Sequence, residues 1–504
     1  MWASRRSSVL HGVSVALFVA SLVLYTRRPC GDARSSPKKS EDASSRTVEA
    51  EDGTDWRAQA ARSLEVIDAE IARSIALGFP FRPSKEATWD FVEAIIGLPE
   101  YSVIVLNNKI FFSREFLRVV KHIKHASFVR TALDRRPSKN VVYQFEGGAS
   151  GPQNRFECGL EPEWHKGLTS VGRDKPFRTR FDIPVPRLCI SKREGYDKCG
   201  ILVPNPYIGN LTEWKGRLRK IGKAAAAAPF PRRDSRLFWR GSISTPHEGC
   251  PRELGNFARF SAATLTHVHP TRVDVRCPSG CNPRNDDDRP CPEFPYDRQM
   301  KDALRHLDRL KGQYVKEKDY TNYKYVLNLP GSTTGSYSRN LNHLWMLGSV
   351  VFLWQNAHVE WYYPALQHGL THLEVNKSTV VRELDRLDRD PVYAKKLING
   401  AKMIDQTVLC PDCLATYLHA VFAKLRSHFK LGPLLDSRDN FRQFLAERNC
   451  SSTLVEFLHV DSRNKTILVK DLSSYDNCTA LYDVAYDRIH PPLLHLPYHD
   501  HAPE

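Results

Sequence analysis

Past residue 25 this sequence has no apolar run long enough to cross a hydrocarbon layer, which takes about 20 residues, so the chain holds at most one membrane span. It has no second CxxC pair beside Cys410-Pro-Asp-Cys413 and no nearby histidines at finger spacing. Structural zinc, which those two cysteines would otherwise suggest, is the weaker reading. It has no concentrated basic helix and no nucleic-acid module, so a formal charge of +16 spread along the chain does not mark a nucleic-acid binder. Between residues 29 and 55 it has no aromatic residue. Such a segment cannot offset its ordering entropy by burial, and it reads as a flexible stem. The ending His-Asp-His-Ala-Pro-Glu matches no ER-retrieval signal.

What is present is a chain of 504 residues, 41% apolar, enough for a large core and for two to four units of ordinary domain size. The one long apolar stretch, residues 9–25, follows Arg5 and Arg6 and precedes Arg27 and Arg28. Residues 1–28 are therefore expected to be a cytoplasmic tail and a retained anchor. A cleaved signal peptide is the rival, against which stand the length of the run and the want of a small-x-small cleavage site. Basic residues on both flanks leave orientation open to the charge rule. Five N-x-Ser/Thr sequons, at Asn210, Asn376, Asn449, Asn464 and Asn477, are glycan acceptors if lumenal. Eleven of twelve cysteines lie beyond the stem and read as disulfides of an oxidising compartment, with one left over. The body is thus expected in the lumen.

Periodicity predicts helices from residue 57, across 115–136, 211–228 and 406–430, with strands at 101–112, 140–145, 236–240, 324–329 and 350–354. Asn107-Asn108 reads as a turn. Asn-Val-Val-Tyr-Gln-Phe opens into Glu-Gly-Gly, the strand-to-glycine transition at which open α/β sheets place ligand-facing loops. Strand, glycine-rich turn, helix and strand across 324–355 argue a βαβ unit in a parallel sheet. Pro229-Phe230-Pro231 marks a boundary between two lobes, 56–228 and 229–430, with residues 431–504 as a C-terminal extension.

Two segments, LFWRGSISTPHEGCPREL at 237–254 and KYVLNLPGSTTGSYSRNLNHLWMLGSVVFLWQNAHVEWYYPALQHGLTHLEV at 324–375, resemble the core of glycosyltransferase family 90, the protein O-glucosyltransferases, O-xylosyltransferases and capsule-associated proteins. The resemblance covers roughly residues 100–425. It implies an α/β, GT-B-like fold of two Rossmann-type lobes and a metal-independent, inverting transferase of the Golgi or endoplasmic reticulum, held as a single-pass type II membrane protein. The donor would be UDP-glucose or UDP-xylose, a co-substrate rather than a bound cofactor; the acceptor would be a protein or glycan hydroxyl. A catalytically silent lumenal binding protein of the same fold is the alternative.

The same resemblance places a donor-site serine at Ser242 and a phosphate-contacting arginine at Arg252, with Arg240 second to it. An arginine fork suits a diphosphate on which charge grows as it leaves. Gly335, Ser336, Tyr337, Ser338 and Arg339 fall in the loop that lines the nucleotide, at a helix entrance whose N–H groups favour anions; the family's arginine itself falls nearer Asn340. Glu360, ahead of Trp361-Tyr362-Tyr363-Pro364, is expected to hold a sugar or ribose hydroxyl or to brace an arginine. His372 matches a family histidine and equally suits a core group. The base that deprotonates the acceptor falls on Glu146, or on Gly147 if the register slips by one. Ser191, Lys192 and Asp197 are further candidates where donor and acceptor sides meet. Asp286-Asp287-Asp288 could hold a metal against a diphosphate, but its cysteine-bounded setting reads better as a solvated loop.

Overall fold

The computed structural model describes residues 55–78, 100–147, 187–190, 192–193, 201–243, 254–278, 296–331, 341–356, 358–446, 454–475 and 477–498. The chain divides into two compact units, Met1–Arg62 and Ser63–Glu504. In the first, the described part is the opening of helix α1 (Trp56–Gly78), where Asp55 Oδ1 accepts from the backbone N–H groups of Arg57 and Ala58. That bond covers donors a helix start leaves open. The apolar stretch at 9–25 and the stem lie outside the described residues. Among the described residues no single helix is long and apolar enough to cross a membrane. Every element below belongs to the second unit.

The first sheet starts with a hairpin, β1 (Ser102–Leu106) and β2 (Lys109–Ser113). Asn107 and Asn108 between them have φ of 47° and 61°, the left-handed conformation that asparagine tolerates and that two-residue hairpins favour. Helix α2 (Val120–Arg135) leads to β3 (Val141–Glu146), which pairs antiparallel with β1. Then β4 (Arg187–Cys189) adds parallel to β3, while β5 (Lys192–Arg193) turns out of the sheet and β6 (Ile201–Leu202) returns parallel to β4. Helix α3 (Leu211–Ala227) begins at Asn210, whose side chain accepts from the N–H groups of Thr212 and Glu213.

A 3-10 turn at Phe230–Arg232, at the boundary the prolines mark, opens the second sheet. Its strands are β7 (Asp234–Arg240), β8 (Val273–Arg276), β9 (Tyr323–Asn328), β10 (Val350–Trp354) and, past the short β11 (His358–Val359), β12 (Leu373–Val375). Their order is β12-β10-β9-β7-β8, and every pair is parallel. Helix α4 (Leu254–Val268) crosses from β7 to β8, α5 (Arg298–Arg305) follows β8, and α6 (Leu341–Leu344) precedes β10. Strand β10 is buried at all five residues, as expected of a strand covered on both faces. The predicted βαβ unit is present here.

Helices α7 (Val380–Arg389), α8 (Pro391–Thr407) and α9 (Pro411–His428) follow. Within the expected second lobe, α9 nevertheless packs on the first sheet, Phe422 lying 5.3 Å from Tyr143 of β3 between ring centroids. After α10 (Gly432–Leu435) and α11 (Arg438–Ala446), the segment read as an extension supplies β13 (Leu454–Asp461), β14 (Thr466–Asp471) and, beyond α12 (Asn477–Ala485), β15 (Leu493–Pro497). These complete the first sheet in the order β15-β14-β13-β2-β1-β3-β4-β6, with Val455 opposite Phe112. The first sheet is therefore mixed, where a Rossmann-type lobe would be parallel. A two-residue turn cannot carry a parallel crossover, so the hairpin at Asn107-Asn108 settles the sense of its first two strands. The molecule is α/β; among the described residues it has one mixed sheet, one parallel sheet and the antiparallel pair β5–β11.

Candidate functional site

Numbering the second sheet from β7 as its first strand gives the order 2-1-3-4-5, so the chain leaves β7 toward one side and β9 toward the other. A crevice opens outside the carboxyl ends of two such strands, and ligands of open α/β sheets bind there. Gly241 and Ser242 follow β7 directly, and Pro330 and Gly331 follow β9. Position 241 demands glycine: a Cβ would lie 2.4 Å from the Trp239 ring. Ser242, read as a donor residue, thus stands at the switch point, and the 331–339 loop starts from its other wall. Arg252 and the residues Gly335, Ser336, Tyr337, Ser338 and Arg339 lie outside the described residues.

Arg259 was not singled out from the sequence. It stands on α4, 9% exposed, and its Nε donates to Pro330 O at 2.7 Å while Nη1 donates to Ser242 O at 2.8 Å. One guanidinium therefore ties the residues that follow β7 to those that follow β9, with its face toward Trp239 at 5.4 Å. The signal was a lone arginine inside the apolar run Phe257-Ala258-Arg259-Phe260. Asn328, ending β9, and Asn342, on α6, were missed too. Asn328 Oδ1 and both polar atoms of Asn342 are buried without a hydrogen-bond partner. Such groups cost free energy until a ligand or water completes them.

Arg240 is spent on the protein. Its Nη2 meets Asp274 Oδ2 at 2.9 Å, Nη1 donates to the carbonyls of Trp239 and Asp274, and Nε to that of Gln313. It locks β7 to β8 and is committed there, which answers why an arginine stands at this strand end. His372 is likewise a core group: burial lowers its pKa to about 3, and Nδ1 pairs with Thr371 Oγ1 at 3.0 Å.

A second constellation lies where the two sheets meet. β5 and β11 pair antiparallel, with Val359 opposite Lys192, so the Lys192 backbone comes beside Glu360. Ser191 and Asp197 lie outside the described residues. Glu360 is 1% exposed and neither carboxylate oxygen has a hydrogen-bond partner. Burial drives its pKa well above the ordinary carboxyl value; the Asn205 amide is near enough to oppose that shift weakly, without reaching hydrogen-bond geometry. Asn205 is itself fully buried with an unpartnered Nδ2. Burial without a hydrogen-bond partner disfavours the charged form of Glu360, and a protonated carboxyl can donate as well as accept. The aromatic residues after it pack the seam. Trp361 packs tilted against Tyr417 at 4.2 Å between ring centroids, Tyr417 donates to Leu202 O of β6 at 2.5 Å, and Tyr362 accepts from Trp345 Nε1.

At the first sheet's parallel edge, Glu146 closes β3 opposite Cys189, the last residue of β4. Of Glu146 only the backbone is described. Gly147 after it sits where a Cβ would lie 3.0 Å from His122 and Lys121 of α2, so a side chain there would make α2 give way by a few tenths of an ångström. Two buried histidines lie behind. Burial lowers the His122 pKa to about 4, and His125, stacked on Phe145 at 3.6 Å with Nε2 paired to Tyr143 Oη, is driven down further. Both are neutral packing groups. Among the described residues no group of three or more His, Cys, Asp or Glu side chains could hold a metal ion, and Asp286, Asp287 and Asp288 lie outside them. Cys410 and Cys413, weighed against zinc from their spacing, form a disulfide.

Of the five sequons, Asn210, Asn376 and Asn464 have described side chains. Nδ2 of Asn376 donates to Gln355 and Nδ2 of Asn464 to Asp461, whereas Asn210 uses its oxygen alone. Asn477 opens α12 and Asn449 lies outside the described residues. Comparison of the chain with protein-family models gives no match, and comparison with curated proteins gives none.

Proposed function

We propose that this chain is an inverting, UDP-sugar-dependent glycosyltransferase of GT-B-like build, moving glucose or xylose to a protein or glycan hydroxyl in the secretory pathway. One observation carries the reading: the two segments that resemble a donor site, Ser242 and the 331–339 loop, follow the two strands that flank the topological switch point, and Arg259 ties them together. Sequence resemblance and strand order are independent, and they meet at the carboxyl ends of β7 and β9.

In this reading the diphosphate lies against Ser242, Arg252 and the N–H groups of the 331–339 loop, which take up the charge of departing UDP. Glu360, buried at the seam, offers a hydroxyl-binding group to the ribose or sugar. Glu146 at the carboxyl end of β3 accepts the proton of the acceptor hydroxyl as its oxygen displaces UDP from the far side of the sugar carbon. The stem and anchor at 1–55 hold the body in the lumen, and the Cys410–Cys413 disulfide fits an oxidising compartment.

The test is donor binding and turnover by the full chain in detergent, with UDP-glucose, UDP-xylose, UDP-galactose and UDP-N-acetylglucosamine, with and without chelator. UDP release insensitive to chelator is expected. Arg252→Ala should abolish donor binding. Glu146→Gln should keep binding and lower turnover about 10²–10⁴-fold, the usual worth of a general base. Binding without transfer or hydrolysis would turn the assignment to a silent sugar-nucleotide-binding protein; no binding of any UDP-sugar would overturn the donor class.

A further inference from the structure

The disulfide between Cys410 and Cys413 does little as a staple. It closes a loop of sequence separation 3, and short loops gain least from cross-linking the unfolded chain. The junction it occupies is already held: Trp214 Nε1 donates to Leu409 O at 2.9 Å, and the N–H groups of Val408 and Leu409 both return to Ile404 O.

Its surroundings suit chemistry instead. Cys410 is the N-cap of α9, an 18-residue helix, and its Sγ accepts from the Cys413 N–H at 3.1 Å. A sulfur there carries negative charge at low cost, since helix N-terminal N–H groups and the helix dipole both favour it. Two arginines, one ending α2 and one just past it, reach this loop, the first neutralising the Asp412 carboxylate that would otherwise oppose a thiolate. Arg135 pairs with Asp412, inside the four-residue loop, at 2.6 Å, and Arg136 donates to Thr416 on the next turn. Both cysteines are partly exposed, so a thiol can reach them. Cys189 is by contrast fully buried.

We propose that Cys410–Cys413 is an exchangeable disulfide whose partners are small monothiols of the glutathione class. A thiolate RS⁻ attacks Cys413 Sγ, the Sγ–Sγ bond breaks, and Cys410 leaves as a thiolate held by the Cys413 N–H. A second RS⁻ attacks the mixed disulfide and releases Cys413 as a thiolate, giving RSSR. The two protons lost by the two RSH end on Cys410 and Cys413 or in solvent according to their acidity. Two electrons pass from the thiols to the cysteine pair, and the reverse sequence, driven by RSSR, closes the bridge. One turn past Cys413, Tyr417 braces the seam through Leu202 and Trp361, so the exchange takes place at the foot of the helix that holds the sheets together.

The experiment is differential alkylation with mass spectrometry on the full chain, equilibrated in graded mixtures of reduced and oxidised glutathione. The 410–413 pair should open at ratios that leave the bridge at Cys277, also disulfide-bonded, closed. In Cys413→Ser, alkylation of Cys410 should show a rate–pH midpoint at least one unit below the ordinary thiol value of about 8.5, that is, at least about tenfold more thiolate at neutral pH. In Cys410→Ser, oxidised glutathione should leave a stable adduct on Cys413. Opening of 410–413 only together with Cys277, or a Cys410 midpoint at or above about 8.5, would overturn the proposal. The wild-type titration decides this even if a variant does not fold.

Discussion

Glu360 is buried at 1% exposure, and at that scale the physics is a desolvation argument. A carboxyl whose folded pKa is raised binds its proton more tightly folded than unfolded. Its stabilising contribution is full below the ordinary value of 4.5 and is lost as pH climbs from there toward the folded value. Glu360→Gln removes that slope while keeping the shape. Thermal unfolding of the two proteins between pH 4.5 and 8 should show the variant gaining on the wild type steadily with pH; a pH-independent difference would show that Glu360 is ionised in the fold. The sequence pointed to Glu360 through its aromatic neighbours. It was silent on Asn205, which lies 155 positions away and which only the fold brings to the seam.

Helix α3 shows what one element asks of one residue. Asn210 caps it through its side-chain oxygen and leaves Nδ2, the atom that would carry a glycan, unused. The two roles are separable. Asn210→Asp keeps a cap oxygen and removes the acceptor, so it should lose the glycan with little loss of stability. Asn210→Ala loses both and should cost about 1 kcal/mol, read as a shift in denaturation midpoint together with the same gel-mobility change. Strand and helix spans were largely legible because burial follows period: β10 is apolar at every residue, and α9 and α2 carry their apolar faces at helical spacing. Pairing was not legible. Nothing in Leu454-Val455-Glu456-Phe457 says that it lies against β2, since strand partners are chosen by cross-strand packing, here Phe457 on Phe112 at 5.7 Å.

At the scale of the whole molecule, the first sheet is closed by both ends of the body. A chain ending at residue 446 would lose β13, β14 and β15 and expose β2 as an apolar edge, its last four residues buried in the intact sheet. Such an edge is a template for aggregation. Full-length protein should therefore elute as a discrete species on size exclusion in detergent, and the truncated chain as aggregate; a soluble, cooperatively unfolding truncation would refute an integral role for the C-terminal strands. The sequence by itself determined the α/β class and most helix and strand spans, because each rests on local periodicity or turn chemistry. Only the tertiary structure decided the mixed order of the first sheet, the switch point between β7 and β9, the link made by Arg259 and the burial of Glu360. Each of these depends on which distant segments desolvate one another, and no local pattern encodes that choice.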